Sequence, residues 1–60
     1  MTMRKKLFKL ENEFTGDIVY CWDIEKLKII DGISFIYVFK AENKNRTFLV
    51  NRAAFKIVNK

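Results

Sequence analysis

The chain has 60 residues, of which 50% are hydrophobic and 15% aromatic, and its formal net charge is +5. Sixty residues form at most one domain, near the lower limit for independent folding, and this composition excludes a disordered chain. One cysteine excludes an intrachain disulfide, and without histidine no metal site is expected. We therefore expect a single β domain over residues 1–60, with a flexible segment at residues 1–4.

The first elements predicted in chain order are two strands joined by a turn. Residues 6–10 form the first strand, with Phe8 and Leu10 pointing toward the core, and residues 12–16 form the turn. Residues 17–22 form the second strand. Its alternation separates one face with Ile18, Tyr20 and Trp22 from another with Val19 and Cys21.

The middle of the chain contains the strongest local signal, a hairpin turn at Asp31-Gly32. This dipeptide is typical of a type I′ turn, which needs positive φ at both central positions. Residues 23–30 are ambiguous, because Asp23 could cap one helical turn, but a strand over 27–30 is favoured as the first arm of the hairpin. The central strand, 33–39, is mostly apolar on both faces, so both faces need cover. One face carries Ile33, Phe35, Tyr37 and Phe39, and the other Ser34, Ile36 and Val38.

The last third of the chain is predicted to contain two strands separated by one helical turn. Residues 41–46 are expected to form a polar loop, followed by a strand over 47–50. Asn51 is a good N-cap for a single turn over 52–54, and β character resumes at 55–58.

This order of elements over residues 6–58 resembles that of SH3-like barrels, which also end in a strand, one tight helical turn and a short strand. No motif diagnostic of SH3 or Tudor proteins is present. The expected fold class is all-β, as a small SH3-like antiparallel barrel or a strongly bent five-stranded sheet with one short helical turn near residues 51–54. An open antiparallel sheet carrying one short helix is the alternative.

Catalysis is not expected. The chain has no histidine to act as a base at neutral pH and no glycine-rich phosphate loop, and Cys21 is predicted to be a small core hydrophobe. Asp23 and Glu25 are interpreted as solvated charges. We expect no cofactor, no metal and no small-molecule substrate. No apolar run is long enough to span a bilayer and no secretory signal is apparent, so a cytoplasmic, membrane-free protein is expected.

The favoured hypothesis is a protein-interaction module, such as a regulator, inhibitor or assembly accessory protein, that docks through an apolar strand surface on a partner or on a second copy. Aromatic side chains are enriched at such interfaces. The candidate interface residues are Tyr20, Trp22, Ile36, Tyr37 and Val38. The Lys-, Ile-, Asn- and Phe-rich composition is similar to that of small accessory proteins of AT-rich bacteria and their phages.

The alternative hypothesis is a nucleic-acid-binding barrel that uses phosphate contacts and aromatic stacking. Both ends of the chain are basic, and pairing of the terminal strands would bring them to one face. The candidate contacts are Arg4, Lys5, Lys6, Lys44, Arg46, Arg52 and Lys56. Residues 11–39 contain six acidic and two basic residues, and this acidic block favours protein interaction slightly.

Overall fold

The computed structural model describes residues 6–59 and contains six antiparallel strands and one 3-10 helix. The strands are β1 (Phe8–Asn12), β2 (Ile18–Cys21), β3 (Leu27–Ile30), β4 (Ile33–Lys40), β5 (Asn43–Asn51) and β6 (Phe55–Ile57), and the 3-10 helix is Arg52–Ala54. The predicted all-β fold class is confirmed. The predicted flexible segment at residues 1–4 and the candidate contacts Arg4 and Lys5 lie outside the described residues. Within residues 6–59, no helix is long and apolar enough to cross a membrane.

The strands form one curled sheet in which β2 and β3 both pair with β4. β3 pairs with the first half of β4, from Ile33 to Ile36, whereas β2 meets β4 near its end, at Phe39. β5 occupies the other side of β4. Because a strand has only two edges, β2 and β3 share one edge of β4. β1 then pairs with β2 and with β6, which completes a half-barrel.

The hairpin between β3 and β4 has the predicted turn. Asp31 has φ of 52° and Gly32 has φ of 79°, as a type I′ turn requires. A residue with a Cβ atom seldom adopts such φ values, whereas glycine does so without steric cost. The ambiguity over residues 23–30 is also resolved, because residues 27–30 form strand β3 and the Asp23 carboxylate accepts a hydrogen bond from the Glu25 backbone N–H within a short turn.

The core lies inside the curl of the sheet. Its buried side chains are Leu10, Val19, Cys21, Ile36, Val38 and Phe55. The prediction that Ile36 and Val38 belong to an interface was wrong, because these side chains are only 1% and 0% exposed. The curled sheet covers the even-numbered face of β4 with apolar side chains of its own, and no partner is needed on that face.

The predicted polar loop over residues 41–46 was also wrong. The connection consists of Ala41 and Glu42 alone, since Lys40 already pairs with Asn43, and β5 begins there. The register shifts between Phe39, which pairs with Thr47, and Lys40, which pairs with Asn43, so residues 44–46 of β5 have no paired residue in β4. Sequence reasoning missed this strand because polar residues are typical of loops but are also common on exposed edge strands.

The first and last strands, β1 and β6, are held together by antiparallel pairing. Leu10 lies opposite Ile57 in this ladder. The side chain of Asn59 extends the contact, because its Oδ1 accepts from the Lys9 backbone N–H and its Nδ2 donates to the Leu7 carbonyl. The predicted cap is also present, since Asn51 Oδ1 accepts from the Ala53 backbone N–H at 2.9 Å.

Candidate interaction surface

Four aromatic side chains meet on the outer face of the sheet, where β2 and β4 come together. Tyr20 on β2 pairs with Phe39 on β4, and these two residues therefore point to the same face. Tyr37 precedes Phe39 by two residues on β4 and therefore shares its face. Trp22 follows the end of β2, and its ring reaches the same face because it stacks on Phe39. We call this set, Tyr20, Trp22, Tyr37 and Phe39, the aromatic surface.

Phe39 forms the floor of the aromatic surface. Its side chain is only 4% exposed although it points away from the core. Tyr20 and Trp22 cover it from two sides, with ring centroids 6.1 Å from that of Phe39 in both cases and interplanar angles of 28° and 29°. Offset stacking of this kind contributes about 0.5–1.5 kcal/mol per pair beyond burial. The two covering rings are therefore positioned before any partner arrives.

Trp22 stands between two shallow depressions of the outer face. The first has a volume of about 310 Å³ and the second about 180 Å³. The first is lined by Leu7, Tyr20, Trp22, Phe39, Ala41 and Lys44. The second is lined by Trp22, Asp23, Lys26, Tyr37, Phe39 and Thr47. Trp22 and Phe39 are common to both, so the indole forms a ridge that an apolar group of a partner would contact from either side.

The exposed area of this surface is aromatic and its rim is charged. Trp22 is 48% exposed and Tyr37 is 46% exposed, which is high for large rings on a sheet face. Lys44 lies at the rim of the first depression, and Lys26 and Asp23 lie at the rim of the second. An apolar centre with a polar rim is the usual anatomy of a protein interface.

The structure brings together three of the five predicted interface residues, Tyr20, Trp22 and Tyr37, and adds Phe39. Phe39 shares the face of Tyr37 by strand alternation, and this signal was available in the sequence. The sequence did not show that Phe39 lies under Tyr20 and Trp22. This contact depends on the pairing of β2 with β4, and β3 separates these two strands in the sequence.

Those predicted nucleic-acid contacts that fall within residues 6–59 do not converge in the same way. Lys44 lies beside Tyr20 and Trp22, but Arg46 lines a different depression together with Glu42. Lys6, Arg52 and Lys56 each have a separate local contact.

Three of these basic residues have neighbours within the chain that account for their positions. The ammonium group of Lys6 lies 5.3 Å from the ring centroid of Phe8. Arg52 is half-buried, and its guanidinium donates to the Phe55 carbonyl at 2.9 Å. Lys56 lies opposite Glu11 in the β1–β6 ladder. Pairing of the terminal strands therefore brings acidic and basic side chains together.

Comparison with protein-family models, with curated proteins and with solved structures returned no match to this chain. The functional argument therefore depends on the geometry and chemistry of the aromatic surface.

Proposed function

We propose that this chain is a non-enzymatic protein-interaction module that docks through the aromatic surface. The observation that carries the proposal is Trp22, which is about half exposed although its ring is already stacked on a buried Phe39. A rigid, partly exposed tryptophan loses little conformational entropy on binding and buries a large area, and such residues dominate interface energies. We also infer an SH3-like barrel, since β5, the 3-10 helix and β6 follow the order of elements in which such barrels end.

The partner that suits this surface presents apolar groups to the two depressions and polar groups to their rim. The depressions are shallow and open, which suits a protein surface or an extended segment better than a small molecule that needs enclosure. The lone buried thiol of Cys21 is consistent with a reducing compartment, and we propose the cytoplasm as the location.

The test is affinity capture with three forms of the immobilised chain, the unmodified protein, Trp22→Ala and Phe14→Ala, at about 500 mM salt, where exposed ion pairs are screened. Phe14 is 84% exposed in the β1–β2 turn, so Phe14→Ala is a matched loss of an exposed ring elsewhere. We expect a partner retained by the unmodified chain and by Phe14→Ala but lost by Trp22→Ala. Its affinity is then measured by titration with the purified partner, and equal affinity for all three forms would refute the proposal.

A nucleic-acid-binding function is the second candidate, favoured by the position of Lys44 beside Tyr20 and Trp22. Bases stack on exposed rings while lysines contact phosphates. This candidate predicts that a fluorescent oligothymidine binds at about 50 mM salt, that the affinity falls steeply as salt is added, and that Lys44→Glu weakens it. Absence of an anisotropy change at low salt would exclude it.

A further inference from the structure

A second surface, separate from the aromatic surface, lies along the free edge of β3. Within residues 6–59, β3 has β4 as its one hydrogen-bonded neighbour, and all four of its residues are exposed. Three of the four, Leu27, Ile29 and Ile30, are aliphatic, and Lys28 is the one charged residue. An exposed apolar edge strand presents unpaired backbone groups and is a template for pairing with another chain.

The other free edges of the sheet are protected in ways that β3 is not. β5 carries Lys44 and Arg46 among asparagines along its exposed first half, and β6 has only three residues, with a lysine at its centre. Charges and short length are the usual means by which edge strands avoid pairing with other chains. The contrast identifies β3 as the edge that is suited to accept another strand.

The turn geometry determines which backbone groups of β3 are free. In a two-residue type I′ hairpin the flanking residues, here Ile30 and Ile33, form a hydrogen-bonded pair. Because hydrogen-bonded residues alternate along an antiparallel strand, Lys28 and Ile30 direct their backbone groups toward β4. Leu27 and Ile29 direct theirs to the free edge. Ile29 is also 61% exposed, so both its backbone and its side chain are available.

We propose that a second copy of this chain covers this edge, by antiparallel pairing of β3 with β3 across a two-fold axis at Ile29. A two-fold axis perpendicular to the joined sheet passes midway between one residue and the same residue of the second copy, so these two residues lie directly opposite each other. An axis at Lys28 would place two ammonium groups opposite each other, which is destabilising. An axis at Ile29 places Ile29 against Ile29 and Lys28 against Ile30, with no like charges opposed. With the axis at Ile29, the central pair is also formed by residues whose backbone N–H and C=O groups point to the free edge.

The aliphatic side chains extend this interface on both faces of the joined sheet. Leu27 and Ile29 point to the inner face, opposite Ile36 and Ser34 in the hairpin, whereas Ile30 and Ile33 point to the outer face. Each is between 42% and 61% exposed in the single chain. A strand docking there has to be apolar on both faces, and β3 itself meets that requirement.

The test uses the fact that residue 29 meets itself across the axis. Sedimentation velocity at about 100 µM is measured for the unmodified chain, for Ile29→Lys, for Ile29→Glu and for their equimolar mixture. We expect a dimer for the unmodified chain, monomers for each variant alone because like charges oppose, and a dimer again for the mixture because opposite charges meet. The matched pair Phe14→Lys and Phe14→Glu is expected to remain dimeric, separately and mixed.

Hydrogen exchange provides a second measurement that needs no substitution. The amides of Leu27 and Ile29 are expected to exchange several-fold more slowly in concentrated than in dilute protein, whereas those of Lys28 and Ile30 are protected in both by β4. A monomeric unmodified chain at about 100 µM would overturn the proposal. So would a dimer that persists in both Ile29 variants, or concentration-independent exchange at Ile29. None of these outcomes bears on the aromatic surface, which is on a different part of the sheet.

Discussion

Two consecutive residues on β4, Val38 and Phe39, are both buried but for different reasons. Val38 is 0% exposed because it points into the curl of the sheet with the other core residues. Phe39 points outward, and the rings of Tyr20 and Trp22 stack on it. Val38 is a core residue, whereas Phe39 supports the rings of the candidate interaction surface. At the scale of single residues, burial alone therefore does not distinguish core from function.

Cys21 is the residue whose environment gives a pH-dependent prediction. Burial raises the pKa of its thiol above the usual value of 9.0, and this desolvation outweighs the lowering effect of a hydrogen bond from the Asp23 backbone. Below about pH 9 the thiol is protonated in the folded and the unfolded chain, so it adds no pH dependence. Above that pH the unfolded chain loses the proton first, and the free energy of unfolding therefore falls as pH rises.

The prediction is tested by urea unfolding of the unmodified chain and of Cys21→Ala at pH values of about 7 and 10. The two proteins differ only at this side chain, so the comparison isolates the thiol. We expect a larger fall in stability for the unmodified chain than for Cys21→Ala. An equal fall in both would show that the thiol is not desolvated in the folded state.

At the scale of elements, the ends of β1 and β6 are held by side chains as well as by the ladder. Val58 donates its backbone N–H to the Lys9 carbonyl at 2.9 Å. The side-chain amide of Asn59 adds two hydrogen bonds, because its Nδ2 donates to the Leu7 carbonyl and its Oδ1 accepts from the Lys9 backbone N–H. A strand of three residues has few ladder bonds of its own. The two hydrogen bonds of Asn59 are therefore a large share of the hydrogen bonds that attach β6 to the sheet.

We expect Asn59→Ala to lower the free energy of unfolding by about 1 kcal/mol, since each exposed hydrogen bond contributes modestly. The matched control is Asn45→Ala, which removes an exposed asparagine from β5 with no side-chain hydrogen bond found in the described residues. Urea unfolding followed by the fluorescence of Trp22 measures both. Amide exchange in β6 that is no faster in Asn59→Ala would contradict the proposed attachment.

At the scale of the whole molecule, the core is completed by Phe55, a residue of the last strand, β6. Phe55 is 7% exposed and packs with Leu10, Val19 and Ile36, which belong to three other strands. A domain of this size has a total stability of about 3–9 kcal/mol. One large side chain therefore accounts for a substantial part of it.

We expect Phe55→Ala to lower the free energy of unfolding by about 3–5 kcal/mol and to leave a large unfolded fraction at room temperature. Phe14→Ala removes the same atoms from a ring that is 84% exposed and is expected to change stability by less than about 0.5 kcal/mol. Urea unfolding compares the two variants. If Phe55→Ala is already unfolded in buffer, the loss of NMR chemical-shift dispersion shows it. Similar losses at both positions would contradict the placement of Phe55 in the core.

Local patterns in the sequence predicted most of the elements. The Asp31-Gly32 hairpin, the alternation of β2 and the cap at Asn51 each depend on residues close together in sequence, and all three are present. The start of β5 was missed because its polar residues do not distinguish an exposed edge strand from a loop. The two faces of β4 are both apolar, so the sequence did not show which of them the curl of the sheet would cover.

The sequence by itself determined a small all-β fold, because composition and short-range periodicity are sufficient for that. Only the tertiary structure showed where the two candidate surfaces lie and which residues form them. The stacking of Tyr20 and Trp22 on Phe39 needs β2 to meet β4 across the intervening β3, and the exposure of β3 needs the sheet to end there. Both depend on pairing between strands, and pairing partners are selected by the burial of the whole core rather than by any local pattern.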